Sequence, residues 1–181
     1  MPYDCGCVLV RDAAQHRAAF SPPGAYLSPD VRGAAAGRAR FNELGLELSR
    51  GFRALRAWMT IREHGFARLG AQIAQNVTQA QALGAMIEAA PDLELLAPVT
   101  LNVVCFRARP DGVPEDELNA LNREVLLRVQ ERGIAVPSGT TLRGRFAIRV
   151  ANVNHRSTMA DFALLVSAVR GIAAELVPTA V

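Results

Sequence analysis

The chain has 181 residues, half of them apolar and a fifth charged, with a net charge of +3 at neutral pH. That supports one large domain or a small domain with an appendage. All 20 of its basic residues are arginine, so a mechanism that needs a lysine amine, such as Schiff-base formation, cannot be completed by this chain alone. The arginines are scattered, without interleaved aromatics or a nucleic-acid motif, which speaks against a nucleic-acid partner. No apolar stretch approaches the ~20 residues that cross a bilayer, so no membrane association is expected. Residues 1–12 have neither a basic leader nor a small-residue cleavage site. Three cysteines, an odd count, point to a reducing, cytoplasmic compartment.

In chain order, the apolar run from Cys5 to Arg11 (CGCVLVR) reads as a strand buried on both faces. The tract FSPPGAYLSPDVRGAAAGRAR, with three prolines and three glycines, reads as a long loop. From Asn42 the spacing of Leu44, Leu48, Phe52, Leu55, Met59 and Arg62 predicts an amphipathic helix, broken at Gly65. A second helix is expected from Phe66 to Ala90, with Leu69, Ile73, Val77, Leu83 and Ile87 as core residues. LELLAPVTLNVVCFRARP predicts two strands split at Pro98, the second over Thr100 to Arg107. PEDELNALNREVLLRVQERG predicts a helix with Pro114 near its start, acidic residues in its first turn and Gly133 at its close. IAVPSGTTLRGRFAIRVANVN predicts two strands around a Ser-Gly-Thr-Thr turn. A last helix follows, with Ser157 or Thr158 as N-cap and Asp161 in its first turn. This succession implies an α/β fold whose antiparallel sheet is covered by helices on one face.

Few residues carry chemistry. Cys5 and Cys7 are too close for a zinc knuckle, and His16, His64 and His155 lack companions at ligand spacing, so no metal is expected. No phosphate loop, dinucleotide fingerprint or nucleophile elbow occurs. Tyr26 lies in the proline-glycine loop, where an aromatic is either a lid residue or a staple, with the staple the simpler account. Arg149 falls mid-strand in RFAIRVANVNHR, where alternation sets Phe146, Ile148 and Val150 on one face and Arg145, Ala147 and Arg149 on the other. A guanidinium there either binds a carboxylate bidentately or sits on a solvated surface.

Several stretches carry a resemblance. PYDCGC followed by VLVRD is similar to the segment after the His-Lys-Trp signature of the group II pyridoxal-phosphate-dependent decarboxylases. FNELGLELSRGFRALRAWMTIREHG resembles their long helix with its Leu-x-x-Trp ending. VTLNVVCFR, GTTLRGRFAIRVANVNHRST and the closing helix are similar to their C-terminal domain in order and spacing. The resemblance spans nearly the whole chain. It implies the end of a fold-type-I large domain over residues 1–65 (one strand, a mobile loop, a long helix) and a small C-terminal α/β domain over 66–181.

The resemblance implies pyridoxal phosphate as cofactor of the intact enzyme and decarboxylation of an L-amino acid to an amine. The lysine that carries the cofactor is expected about four residues upstream of Met1, so no cofactor-binding residue is assigned here. Tyr26 corresponds to the loop tyrosine that protonates the carbon from which carbon dioxide has left. Arg149 corresponds to an arginine holding the substrate's α-carboxylate, and Tyr3 to an aromatic lining the active site or dimer contact. Arg50 matches a family helix arginine, but Gly51 replaces the second arginine often beside it. A homodimer, completed by the missing N-terminal cofactor-binding region, is the implied assembly, and the isolated chain is expected to be inactive. Two other readings stay open. One is a regulatory or carboxylate-binding α/β module needing only 66–181. The other is one subunit of a split decarboxylase, associating through Cys5–Val10 and Asn42–Gly65.

Overall fold

The computed structural model describes residues 5–20, 32–33 and 41–177. The chain divides into two compact units, Met1–Phe66 and Ala67–Val181.

In the second unit the alternation along the strands builds an antiparallel sheet of four: β1 (Leu93–Leu95), β2 (Val103–Ala108), β3 (Ser138–Leu142) and β4 (Arg145–Ala151), in the order β1-β2-β4-β3. Val104, Phe106 and Ile148 are fully buried in one core with Leu83, Ile87, Val125 and Val169. Those last four come from α2 (Arg53–Glu88), α3 (Leu118–Glu131) and α4 (Met159–Leu176). Each such aliphatic or aromatic side chain contributes roughly 1.5–3 kcal/mol. Of the core residues expected on α2, Leu83 and Ile87 are buried, whereas Ile73 is 62% exposed.

Two asparagines fix α3 to the sheet. The ladder between β2 and β4 pairs residues from Val103↔Ala151 to Phe106↔Ile148. Beyond it, Asn122 accepts from the Ala108 N–H (2.6 Å) and donates to the Ala108 carbonyl (2.8 Å). Asn119, one turn earlier, accepts from the Phe146 N–H (2.6 Å) and donates to the Gly144 carbonyl (2.9 Å). Buried backbone groups are thus satisfied by helix side chains instead of a neighbouring strand. Thr158 and Asp161 form the expected capping box of α4, the Thr158 N–H donating to Asp161 Oδ2 at 2.8 Å.

Several expectations are corrected. Ser-Gly-Thr-Thr is not a turn but most of β3. The hairpin turns instead at Arg143 (φ 51°) and Gly144 (φ 79°), consecutive left-handed residues of the kind that match hairpin twist. Gly139 sits within β3 because a Cβ there would meet the Phe146 ring at 2.6 Å. Helix α3 begins at Leu118, with no acidic residue in its first turn. Glu115 is held instead by Arg107 on the sheet.

In the first unit Cys5–Val10 forms no strand and is exposed, Leu9 at 94%. A strand needs a hydrogen-bonded neighbour, and no described residue of this unit supplies one. A short helix α1 (Ala13–Phe20) follows, capped by Asp12 Oδ1, which accepts from the N–H groups of Ala14 (2.8 Å) and Gln15 (3.1 Å). The helix expected from Asn42 is only a 3₁₀ turn at Phe41–Leu44, and α2 starts at Arg53. Gly45 and Gly51 weaken helix in between. Gly65 interrupts α2 as expected (φ 74°, ψ 156°). No described residue of this unit is buried.

On the opposite sheet face Arg107 is 2% exposed and bound by two carboxylates. Its Nε donates to Glu94 Oε2 (2.7 Å) and its Nη1 to Glu115 Oε1 (2.8 Å). Replacing Arg107 by alanine leaves Glu94 to Arg145 alone and is expected to lower stability by about 2 kcal/mol, read by urea denaturation. Hydrogen bonding from Arg107 holds the Glu115 carboxyl below its usual range. Folding therefore favours the ionised form, and this contribution is full above the ordinary carboxylate range and fades as pH falls through the lowered value. Acid titration of Arg107→Ala is expected to lack that part of the stability loss; an unchanged acid profile refutes the assignment.

Candidate functional site

The sheet face turned away from the core is assembled by register. Glu94 pairs with Arg107, Cys105 with Arg149, and Ser138 with Arg149 from the other side. Arg107, Arg145 and Arg149 therefore share one face, but they are not equivalent. Glu94 binds Arg107 through Oε2 and Arg145 through Oε1 (2.7 Å), and Glu115 binds Arg107 again. No carboxylate pairs with Arg149 among the described residues. Its guanidinium has one hydrogen bond among the described residues, Nη1 donating to Ser138 Oγ (3.3 Å), and that hydroxyl donates in turn to the Arg149 carbonyl (3.4 Å). Both are long and weak, so the guanidinium keeps most of its donors.

A groove of about 250 Å³ lies between the end of the β3–β4 hairpin and the start of α4, with Arg149 among the residues on its border. Ser138, Ser157 and Asp161 supply polar edges, and Pro137, Phe162 and Leu165 supply apolar walls. Asp161 Oδ2 is engaged by Thr158. A guanidinium with free donors suits a carboxylate, which pairs with its planar fork. Across the ladder, burial pushes the Cys105 thiol up, and the positive charge of Arg149 works against that rise.

Of the residues expected at the site, only Arg149 can be placed. Tyr3 and Tyr26 lie outside the described residues. Arg50 stacks 5.6 Å from the Phe41 ring centroid in the first unit. Ser138, Cys105 and Asp161 were not expected as neighbours of Arg149. Finding them requires the correct hairpin centre, and a turn placed at Ser-Gly-Thr-Thr removes Ser138 from the strand. The described residues hold no cluster of three metal-binding side chains. No helix among them is long and apolar enough to cross a membrane.

The family model described as the pyridoxal-dependent decarboxylase conserved domain matches residues 1–109. The chain belongs to that family. It is 31% identical over 176 residues to an aromatic-L-amino-acid decarboxylase of Bacillus atrophaeus, covering 97% of this chain and 36% of that protein. The enzyme of the same name from Sus scrofa is 30% identical, with 96% and 34% covered. Among solved structures, the glutamate decarboxylase domain of a Vibrio parahaemolyticus protein is 32% identical with a TM-score of 0.61, over 68% of this chain and 26% of that one. A structure of Oryza sativa TDC with PLP and tryptamine shares the fold at a TM-score of 0.78 and 23% identity, with 92% and 35% covered. The chain thus spans about a third of the length of these relatives and aligns to a C-terminal portion of them.

The family's cofactor does not fit the residues of this chain by themselves. With no lysine in the sequence, there is no side-chain amine to bond its aldehyde. Two of the three arginines on the polar sheet face are already neutralised by Glu94 and Glu115.

Replacing Arg149 by methionine removes the charge that faces Cys105. The pH profile of Cys105 alkylation, read at that residue by mass spectrometry, is then expected to move to higher pH, and Arg149→Lys should restore it. An unmoved profile would separate the two side chains.

Proposed function

We propose that this chain is the C-terminal portion of a pyridoxal-phosphate-dependent carboxy-lyase that turns an L-amino acid into an amine, with Arg149 holding the substrate's α-carboxylate. The observation that carries this reading is the charge inequality on the sheet face: two arginines are neutralised, and the third has no carboxylate partner among the described residues. A bidentate grip on the carboxylate fixes the bond to be broken and keeps the anion desolvated until carbon dioxide leaves.

Tyr26 is assigned as the acid whose phenol Oη returns a proton to the substrate's α-carbon, and Tyr3 as an aromatic lining of the substrate site. When bound, the cofactor supplies the electron sink for the broken bond. Its lysine and phosphate contacts come from outside this chain, which is therefore inactive alone. The intact enzyme is a cytoplasmic homodimer in this reading. A second reading, a carboxylate-binding module without catalysis, draws support from the groove lying wholly in the unit that has its own core.

Titration of the purified chain with pyridoxal phosphate, followed by borohydride trapping, is expected to leave no stoichiometric adduct. When a polypeptide equivalent to the rest of a relative is added, decarboxylation is expected to appear. Arg149→Met should then lower kcat/KM by about 10- to 100-fold, as loss of a charged hydrogen-bonded pair implies. Tyr26→Phe should slow the reaction by roughly 10²–10⁴-fold. Tight cofactor binding to the lone chain sinks this reading, whereas carboxylate binding without any reconstituted activity favours the module.

A further inference from the structure

Arg149 lies in a row that crosses three strands. In the order β1-β2-β4-β3 its own strand is flanked by β2 and β3, and the register sets Cys105 opposite it on one side and Ser138 on the other. Directly opposed residues of an antiparallel ladder point to the same face, so thiol, guanidinium and hydroxyl stand in line. The hydroxyl is bound twice to one residue: Ser138 Oγ accepts from Arg149 Nη1 (3.3 Å) and donates to the Arg149 carbonyl (3.4 Å). A bond of that length is weak, but no carboxylate among the described residues competes for this guanidinium. The hydroxyl therefore sets its direction, toward β3 and away from Cys105. Ser138 has a fixed base for this. Pro137 before it has a restricted φ, and Gln130 Nε2 on α3 donates to the Pro137 carbonyl at 2.8 Å.

The donors left over define how an anion docks. With Nη1 turned to Ser138, Nε and Nη2 remain as the side-on pair of the planar fork. The chain uses that edge elsewhere: Arg107 presents Nε and Nη2 to Glu94 while its Nη1 serves Glu115. We infer that Ser138 is a positioning residue of the substrate site: it holds the Arg149 guanidinium by Nη1, so that a carboxylate is gripped side-on through Nε and Nη2. The inference rests on the reading above that Arg149 holds the substrate's carboxylate. Its physical content is preorganisation. An arginine side chain has much rotamer freedom to lose on binding, and one already turned to its bound direction loses less. Ser138 acts through Arg149 and not on the reacting atoms.

The test compares the full chain with its Ser138→Ala and Ser138→Thr variants. The first readout is the pH profile of Cys105 alkylation, resolved by mass spectrometry. Burial raises the Cys105 thiol, and the charge of Arg149 works against that rise. In Ser138→Ala the guanidinium is released from β3 and free to approach the thiol, so the profile is expected to move to lower pH. Ser138→Thr keeps the hydroxyl and should restore it. In an Arg149→Met background Ser138→Ala should leave the profile where it is; a shift there too traces the effect to lost burial and overturns the inference, as does an unmoved profile in the single variant. The second readout is binding of phenylacetate, followed at the Arg149 Nε resonance of isotope-labelled protein, which Arg149→Lys removes and so assigns. Ser138→Ala is expected to raise the half-saturating concentration about 3- to 10-fold, and Ser138→Thr to restore it. Equal half-saturation in wild type and Ser138→Ala overturns the inference and spares the functional reading. A wild-type resonance that ignores phenylacetate defeats Arg149 as a carboxylate clamp, while the alkylation profiles still decide whether Ser138 positions the guanidinium.

Discussion

Glu94 is the residue on which the second unit's polar face depends. It sits on β1, the shortest strand, yet its two carboxylate oxygens reach Arg107 on β2 and Arg145 on β4. One carboxylate thereby ties three strands together, and its charge decides which arginines stay available. Arg107 is nearly sealed from solvent, where an unpaired cation would cost several kcal/mol. Glu94 and Glu115 settle that demand between them. Among the described residues what remains on the face is a single guanidinium without a carboxylate, Arg149, left available because its neighbours are neutralised.

The two units obey opposite economies. In the second, helices and sheet bury a continuous set of aliphatic and aromatic side chains, and the polar insertions are paired except at Asn152 Oδ1. Asn119 and Asn122 take up strand-end backbone groups, and Asn152 donates to the Asn76 carbonyl and to Gln79, whose amide donates to the Ser157 carbonyl. The last of these fastens the segment leading into α4, and Ser157 lines the groove. Among the described residues of the first unit helix forms without a buried side chain, held by propensity, ion pairs and ring contacts such as Arg50 over Phe41.

That contrast also explains what was legible in the sequence. Features set by neighbours within four residues could be read directly: the capping box at Thr158 and Asp161, the break at Gly65, and the alternation of Phe146, Ile148 and Arg149. Features set by partners distant in sequence could not. Cys5–Val10 has the composition of a buried strand, but no strand forms without a neighbour. Pro114–Glu117 carries every sign of a helix start, yet the pull of Arg107 on Glu115 outweighs the few tenths of a kcal/mol that an acidic first turn offers. The hairpin was misplaced because Ser, Gly and Thr favour turns statistically, whereas Arg143 and Gly144 adopt the left-handed pair that the strand twist demands. Arg149 itself was found from periodicity, but its neighbours depend on register, which no local signal fixed.

The absence of lysine sharpens the division of labour. Arginine cannot stand in for a nucleophilic amine at neutral pH, since its guanidinium stays protonated, but it is the better carboxylate clamp, because its donors form a planar fork. A chain whose basic side chains are all arginines can grip a carboxylate but offers no lysine amine for covalent chemistry. In the second unit such a grip is framed by a finished core, with Arg149 held in a paired central strand and Ser138 against it. Sequence composition, charge pairing and burial thus meet at Arg149: a cation left without a carboxylate among the described residues, on a sheet that has its own core.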